Sequence, residues 1–388
     1  MVPRERASEQ LRRKPRDFGA QKASAMSSTN QVLTQAFSQW SLRPADQRFS
    51  SITALRDACN VYRVEAQEAR GIALDSLRVE KQDTELVLLG RTNVPVSFTH
   101  WSFGQLCSEV GAPAGFLREL PPTLAAMNLN HKLSIADPQA SRKLLFRQNG
   151  VRQLRAITGN DYGRVWNVDV VDRVIEMTQR NPAWQPAPAA FDGSRGLYAS
   201  DHDLFMFMVD NNRRIFEKQE GGLSRGFFVD NSETGAGAIG VTTFFYEWVC
   251  GNHRVWGASD VRTFRISHFK NAEDKSFRAI ERSLRAYVES SATEDEARIG
   301  RMHTFELGTT KEEVVEKVFG MKGRPQVLTM SMIEKSFDRA EERRDRYGAP
   351  TTVWGLTGGM TELARDLPHA DERVKLDRAA SKVMRIAF

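Results

Sequence analysis

The chain has 388 residues, of which 40% are hydrophobic, and its formal net charge is +6. This composition is that of a globular protein with a buried core, divided into one large domain or two ordinary ones. Residues 1–25 carry seven Lys and Arg residues against three carboxylates and so supply +4 of the net charge. The rest of the chain is nearly neutral, and any basic surface on it must be local.

The sequence shows no membrane or export signal. No apolar run approaches the roughly 20 residues that span a bilayer, and the N-terminus lacks the apolar stretch of about 7 to 15 residues of a signal peptide. Cys59, Cys107 and Cys250 are too few and too widely spaced for a disulfide framework or a thiolate zinc site. We therefore expect a cytoplasmic protein.

The first 25 residues are polar, charged and without helical periodicity, which predicts disorder. Two interpretations of this segment are open. Either translation begins at Met26 and residues 1–25 are an upstream extension, or residues 1–25 are a basic arm that contacts phosphates.

Two helices in succession are predicted in the N-terminal part. Ser102 and Gln105 fit a capping box at the start of the first, and Pro113 can begin the second. The pair has the spacing of a DNA-binding helix-turn-helix. Its second helix offers only Arg118 and Glu119 as polar contacts, so a packing hairpin of helices is the preferred interpretation.

A hairpin and a further helix come next. Residues 144–157 predict a hairpin or a bent strand around Asn149 and Gly150, with arginines alternating against apolar neighbours. Asn167 is predicted to cap a helix with one apolar face. The proline-rich residues 181–190 then form the clearest candidate break in the chain.

The central part of the chain predicts a sheet. Residues 204–209, LFMFMV, have the composition of a strand that is buried on both faces. Extended, aromatic-rich runs at residues 225–229, 241–249 and 261–270 are separated by Gly, Asn and Ser clusters, as in an antiparallel sheet. A helix from about residue 272 to 290 carries an apolar stripe that would cover one face of this sheet.

The last quarter of the chain is predicted to be helical. Thr310 and Glu313 form a capping box, and another helix runs through Ile333. Residues 351–360, TTVWGLTGGM, predict a glycine-bearing turn between an extended piece and a short helix. Residues 371–386 would form the terminal helix.

The predicted fold class is α+β, with a central, mainly antiparallel sheet covered by helices and a helical C-terminal part. The predicted parts are residues 1–25 (basic extension), 26–180 (N-terminal α+β part), 191–300 (sheet with its covering helix) and 301–388 (helical part). Alternatively, residues 26–388 form one compact unit.

Gly235, Gly237 and Gly240 spell the G-x-G-x-x-G pattern of dinucleotide sites. Such a site needs a helix directly after the glycines to hold the pyrophosphate. Here the β-branched and aromatic run VTTFFYEWV follows. We therefore interpret the glycines as turn residues between two strands and predict no cofactor.

Four carboxylates support an alternative function, a metal-dependent nuclease, because such enzymes hold divalent ions between converging acidic groups. They are Asp201, Asp203, Asp230 and Glu233. Nothing in their spacing requires them to converge, and carboxylates in loops and at strand ends are usually solvated. The preferred prediction is that the protein holds no metal.

Interleaved basic and aromatic residues are a stronger functional signal than the glycine pattern or the carboxylates. In VRTFRISHFK, residues 261–270, Arg262, Phe264 and His268 fall on one face of a strand by alternation. Such a face offers cations for phosphates beside a ring on which a base can stack, the combination used by single-strand binders. The alternative is a half-exposed strand whose arginines meet carboxylates elsewhere. The predicted nucleic-acid-binding residues are Arg225, Arg254, Trp256, Arg262, Phe264, Arg265, His268 and Lys270.

Several segments point to one family. They are GAPAGFLRELPPTLAAMNLNH, RAITGNDYGRVWN, GLYASDHDLFMFMVD, RGFFVDNSETGAGAIGVTTFFYEWVCGNHRVWGA, the RISHFKNA run with the helix after it, and TVWGLTGGMTELARD with DERVKLDRAASKVM. Over roughly residues 50–388 the chain resembles the phage- and plasmid-associated family known as domain of unknown function 932. The resemblance implies bacterial mobile-element cargo and suggests DNA metabolism or host interference, but it transfers no activity and no catalytic residues.

These observations favour a non-enzymatic protein that binds single-stranded DNA in mobile-element recombination or replication. Two alternatives from other classes stay open. One is the metal-dependent nuclease, and the other is a protein-binding factor that interferes with a host system and has neither DNA affinity nor turnover. A host protein is a possible partner, and an annealing protein would need an oligomer.

Overall fold

The structure of the chain is a computed structural model. It describes residues 45–90, 93–188, 195–215, 222–247, 264–266, 268, 272–290, 292–366, 376, 379–380 and 382–387. The predictions for Arg254, Trp256, Arg262 and Lys270 lie outside the described residues, as do those for the basic extension and for most of the terminal helix.

The described helices and strands are numbered in chain order. The helices are α1 (Ile52–Val64), α2 (His100–Glu109), α3 (Ala114–Glu119), α4 (Pro122–Ser134), α5 (Asn167–Arg180), α6 (Ala272–Glu289), α7 (Thr293–Thr304), α8 (Lys311–Phe319), α9 (Met330–Glu342), α10 (Arg344–Tyr347) and α11 (Val353–Asp366). The strands are β1 (Ala66–Ala73), β2 (Arg78–Gln82), β3 (Glu85–Leu89), β4 (Val96–Phe98), β5 (Ser141–Asn149), β6 (Val151–Gly159), β7 (Trp184–Pro186), β8 (Leu197–Ala199), β9 (Leu204–Ile215), β10 (Leu223–Asn231), β11 (Ile239–Glu247) and β12 (Phe264–Ile266).

The first sheet has the strand order β1-β5-β6-β4-β3-β2 and is antiparallel apart from the parallel pair β4–β6. Its β5–β6 hairpin turns at Gly150, whose φ of +68° favours glycine, so the predicted hairpin is confirmed. Helices α2, α3 and α4 bury Leu106, Leu117 and Leu129 in the same apolar core as Leu144 and Leu154 of the hairpin. The two helices from residue 100 onward therefore pack as a hairpin on this sheet.

The second sheet has the order β12-β11-β10-β9-β7, with β8 also paired to β9, and all of its pairs are antiparallel. Leu204, Met206 and Met208 of β9 lie in the core beneath α1, α5 and α6. Phe205 and Phe207 lie in a second buried cluster that they form with other aromatic residues of the sheet. The prediction of a central strand buried on both faces is confirmed.

Helices α7 to α9 and α11 form the helical C-terminal part around a third core. Ile215 and Leu223, from the β9–β10 end of the second sheet, join this core. The side chain of Thr310 accepts the N–H of Glu313 at 3.3 Å, so Thr310 caps α8 as predicted, while the Glu313 carboxylate accepts the N–H of Thr309 at 2.7 Å. The fold class is α+β, as predicted from the sequence.

Two predicted helix starts are wrong by a few residues. Helix α2 is capped by Thr99: its hydroxyl accepts the Ser102 N–H, and its own N–H donates to Ser102 Oγ. Ser102 is therefore the third residue of that helix instead of its cap. Helix α5 has Trp166 at its N-cap position and begins at Asn167. The side chain of Glu233, distant in sequence, accepts the Asn167 N–H, which explains why no local cap is needed.

The predicted turn at residues 351–360 is wrong from Val353 onward, because helix α11 begins there. Its glycines lie inside α11, where a Cβ on Gly359 would come within 1.9 Å of the Ser336 carbonyl oxygen of α9. A Cβ on Gly358 would come within 2.5 Å of the Tyr347 ring. The glycines therefore let α11 approach its neighbours closely, a tertiary requirement that overrides their low helix propensity.

Candidate functional site

Polar side chains meet where the β10–β11 turn contacts the first sheet. We call this group the polar cluster. It consists of Trp101, Gln105, Arg155, Tyr162, Asn167, Asn231, Ser232, Glu233 and Thr234. Because α2, β6, α5 and the β10–β11 turn all contribute to it, the cluster fixes the position of the second sheet against the first.

Arg155 and Glu233 form an ion pair at the centre of the cluster. The side chains are 1% and 0% exposed, and Arg155 Nη2 lies 3.0 Å from Glu233 Oε2. The other carboxylate oxygen accepts the backbone N–H of Asn167 at 2.8 Å, at the positive end of α5. Arg155 also donates to the Asp201 carbonyl at 2.7 Å and lies over the Tyr62 ring. Both charges therefore have internal partners, as buried charges require.

Main-chain carbonyls of the β10–β11 turn accept hydrogen bonds from three further side chains of the cluster. Trp101 Nε1 and Gln105 Nε2 donate to the Thr234 carbonyl at 3.2 and 2.8 Å, and the Tyr162 hydroxyl donates to the Ser232 carbonyl at 2.8 Å. Gly235 lies in this turn with φ +87°, and strand β11 follows. The glycine pattern is therefore a turn between strands, as expected, with no helix after it to hold a pyrophosphate.

The turn before β9 brings Ser200, His202 and two aspartates together. Ser200 Oγ donates to Asp203 Oδ1 at 2.5 Å, and it lies 3.1 Å from His202 Nδ1. Asp201 Oδ1 contacts the same ring nitrogen at 2.9 Å. A Ser–His–Asp relay uses the two ring nitrogens for the two partners. Here Ser200 and Asp201 both lie at Nδ1, and Nε2 is 3.7 Å from Asp203 Oδ2, so the arrangement is instead a hydrogen-bonded turn. The His202 ring stacks on the Trp101 ring.

Burial would raise the pKa of Asp201, but the hydrogen bond and charge of His202, together with the charge of Arg155, hold it below its ordinary value. Asp201 is therefore ionised at neutral pH and is a poor proton donor. Burial raises the pKa of the Cys59 thiol well above its ordinary range, so this cysteine is unreactive. Neither group has the properties of a catalytic acid or nucleophile.

The four carboxylates of the nuclease alternative occupy different positions. Asp201 and Asp203 lie in the turn before β9, Asp230 lies near the end of β10, and Glu233 is paired with Arg155. Within the described part of the chain, no group of three or more His, Cys, Asp or Glu side chains is arranged to hold a metal ion.

Arg225 of β10 is 3% exposed. Its guanidinium donates to the carbonyls of Tyr287 and Ser290, both at 3.0 Å, and its Nε lies 2.9 Å from Asp295 Oδ2. It thereby ties the second sheet to α6 and α7. Its donors meet groups inside the protein, so a phosphate at the surface would compete with these internal partners.

Strand β12 and His268 are the described remainder of the predicted binding run. Register places Phe264 opposite Val241 and Arg265 opposite Gly240 of β11. His268 lies beyond the strand, is 8% exposed, and stacks on the Tyr162 ring with centroids 5.0 Å apart. Its Nδ1 donates to the Gly163 carbonyl at 3.1 Å, and burial lowers its pKa to about 4. The imidazole is therefore neutral at pH 7.

His268 predicts a loss of stability in acid. Its pKa of about 4 lies below its ordinary value of 6.5, so the unfolded state binds more protons between these pH values and stability falls as pH falls through this window. At pH 4.5 this group should cost roughly 2 to 3 kcal/mol of the free energy of unfolding relative to pH 7. Urea unfolding at both pH values should show a smaller fall for His268→Asn than for the parent.

The exposed His100 provides the control for this experiment. His100→Asn replaces an exposed imidazole and leaves the buried one in place, so its measurement shows whether the effect belongs to position 268. An equal fall for the parent and His268→Asn would contradict the assignment of a buried neutral imidazole.

Sequence reasoning did not select Arg155, Tyr162 or Asn167 as site residues. Two signals were available: Arg155 interrupts the apolar run LRAIT, and a buried strand arginine needs a carboxylate partner. Its partner, Glu233, is 78 residues away, so local spacing does not identify the pair.

Comparison with known proteins gives one match. A family model described as "Domain of unknown function (DUF932)" matches residues 157–381, more than half of the chain. No curated protein and no solved structure matches the chain significantly. The matched residues include α5, Glu233 and the whole second sheet. Among the described residues, no helix has both the length and the apolar character needed to cross a bilayer.

Proposed function

Because the chain belongs to the DUF932 family, whose description assigns no activity, we propose a function from its residues alone: it binds single-stranded nucleic acid at the β12 edge of the second sheet. The proposed contacts are Arg254, Arg262, Arg265 and Lys270 to phosphates, with Trp256 or Phe264 stacking on a base. The biological setting that we propose for this binding is mobile-element recombination or replication.

The position of β12 is the observation that supports this proposal most. Among the described strands of the second sheet, β12 comes last in the order, and its described partner is β11. Four of the six proposed residues belong to, or lie within five residues of, this edge strand. An extended basic run at a sheet edge can follow an extended, negatively charged chain over several nucleotides.

Arg225 and His268 take a different part in this proposal. Both are buried, and both bond to neighbouring elements of the protein. Arg225 fixes β10 to α6, and His268 fixes the chain after β12 to the loop before α5. We therefore assign them to positioning the edge strand and exclude them from the phosphate contacts.

The test measures binding of the full chain to labelled single-stranded and duplex DNA over a salt series, without divalent metal. The double variant Arg262→Ala/Arg265→Ala should bind single strands more weakly. Each lost phosphate contact lowers the salt slope by about 0.7, so the slope should fall by about 1.4. A chain that begins at Met26 separates the contribution of the basic extension.

The matched control is Arg78→Ala/Lys81→Ala on β2, at the far edge of the first sheet, which removes the same charge from exposed positions. Comparison of the two double variants shows whether binding depends on the position of the charges or only on the total charge. Equal affinities and slopes for both would rule out the β12 edge as the binding site. Binding that disappears with residues 1–25 would move the affinity to the basic extension.

A further inference from the structure

Helix α4 has apolar side chains on two opposite faces. The inner face, which packs on the first sheet, carries the buried residues of the helix, Ala125, Ala126, Leu129 and Leu133. On the opposite face, Leu124 and Met127 are 47% and 62% exposed, and Ile135, the C-cap residue, is 64% exposed. A helix at a protein surface usually has a polar outer face, and a helix that is apolar all round is usually covered on both sides.

The exposed apolar residues belong to one continuous row. With about 3.6 residues per turn, positions 124, 127, 128, 131 and 135 fall within about 100° of the helix circumference. Asn128 and His131 lie in the middle of this row, and both are exposed. We call Leu124, Met127, Asn128, His131 and Ile135 the outer stripe. It contains no Asp, Glu, Lys or Arg, so a partner can cover it without removing such a charge from water.

The order of residues along the outer stripe suits a second copy of the same helix. Apolar residues lie towards both ends, and the two polar residues lie at the centre. When two copies of α4 pack antiparallel about a two-fold axis through this centre, Leu124 of each copy faces Ile135 of the other. Asn128 then faces His131.

The central polar pair can bond across the axis. Asn128 Nδ2 donates to the Leu124 carbonyl at 2.8 Å within its own helix, which leaves Oδ1 as an acceptor. The facing His131 ring has an N–H to donate to this oxygen. A polar contact within an otherwise apolar helix seam fixes the register and orientation of the two helices. The outer stripe therefore specifies one arrangement of the two copies.

We propose that the outer stripe is the contact surface of a homodimer, in which α4 of one copy packs antiparallel on α4 of another. Each of the three apolar residues leaves roughly 100 Å² in water, so the two copies together bury roughly 600 Å² of apolar surface. Polar neighbours add to this area, and the interface falls in the weak class below about 1,200 Å². The dimer therefore forms with a Kd in the micromolar range.

Sedimentation velocity of the full chain at concentrations from about 1 to 200 µM tests the dimer. The mass of the parent should rise from 43.8 kDa towards twice this value. Met127→Glu places a charge in the seam and should weaken dimerisation at least about tenfold. Val151→Glu is the matched control, because Val151 is 68% exposed on β6 and receives the same charge. This variant should dimerise as the parent does.

Cysteine pairs test the antiparallel register. Positions 124 and 135 of one chain are about 16 Å apart along the helix, too far for a disulfide within the chain. They face each other in the proposed dimer, so Leu124→Cys/Ile135→Cys should oxidise to a covalent dimer. Either single variant should stay uncrosslinked, because equivalent residues of the two copies lie about 16 Å apart. The oxidised parent gives the background from Cys59, Cys107 and Cys250.

The outcomes separate this dimer from other uses of the outer stripe. Circular dichroism verifies that each variant folds, and the cysteine variants alone decide the matter if Met127→Glu does not. A parent that stays monomeric at every concentration would overturn the proposal, and a different protein or the residues before Ala45 would then be the occupant. Equal dimerisation of the parent and Met127→Glu would overturn it too. The dimer does not depend on nucleic-acid binding at the β12 edge.

Discussion

Replacing Gly359 by alanine is expected to lower the free energy of unfolding by about 3 kcal/mol, because helices α9 and α11 could no longer approach as they do. The new Cβ would lie 1.9 Å from the Ser336 carbonyl oxygen and 2.6 Å from the Ala340 nitrogen. Both are backbone atoms of α9, so no side-chain rotation relieves the contact. The two helices must separate, and the core that they share must loosen.

Urea unfolding followed by tryptophan fluorescence measures this effect, since Trp354 is buried in the same core. Gly115→Ala is the matched control. Gly115 lies in helix α3 with open space around its Cβ position, so alanine should leave stability unchanged or raise it by up to about 1 kcal/mol. A Gly359→Ala protein as stable as the parent would show that α9 and α11 do not pack this closely.

The same glycines explain why part of the fold could not be predicted. Gly355, Gly358 and Gly359 oppose a helix by their propensity, and residues 351–360 were predicted as a turn for that reason. Each of them faces another segment at a distance too short for any Cβ. That requirement arises from partners 6 to 23 residues earlier in the chain, such as Ala349 and Ser336, and local sequence does not contain it.

The sheets were more accessible to prediction. The run at residues 204–209 is apolar at every position, which is the pattern of a strand that is buried on both faces. The Asn149-Gly150 pair marks its hairpin through the backbone conformation that glycine permits. These signals are local, because each strand carries its own burial pattern. Helix starts were less certain, since Thr99 and Glu233 supply caps from outside the predicted motifs.

The candidate site shows the same division between local and distant information. Composition identified a basic, aromatic run around β12, and that part stays a prediction for experiment. Burial separates Arg225 and His268 from the other predicted binding residues, because each bonds to elements that are distant from it in sequence. The alternation of arginines with apolar residues in the β5–β6 hairpin likewise did not distinguish Arg155 from its neighbouring arginines. The structure distinguishes it by its pairing with Glu233.

The second large expected effect is a loss of stability on breaking the pair of Arg155 and Glu233. Arg155→Met should lower the free energy of unfolding by about 3 to 5 kcal/mol, because it leaves the carboxylate of Glu233 buried without its cation. Glu233→Met should lower the free energy of unfolding by a similar amount. It leaves the Arg155 guanidinium buried without its anion and also removes the acceptor for the Asn167 N–H. Most of this lost stability comes from leaving one buried charge unpaired, and less of it from the net stabilisation that the ion pair provides.

The double variant Arg155→Met/Glu233→Met separates these terms. With no charge left in the cluster, it should be more stable than either single variant, and urea unfolding of all four proteins gives the coupling energy directly. The exposed pair Arg173 and Glu176, 46% and 48% exposed, is the matched control, where alanine at either position should cost less than about 1 kcal/mol. Additive losses at Arg155 and Glu233 would mean that the two charges act independently, and this would contradict the prediction.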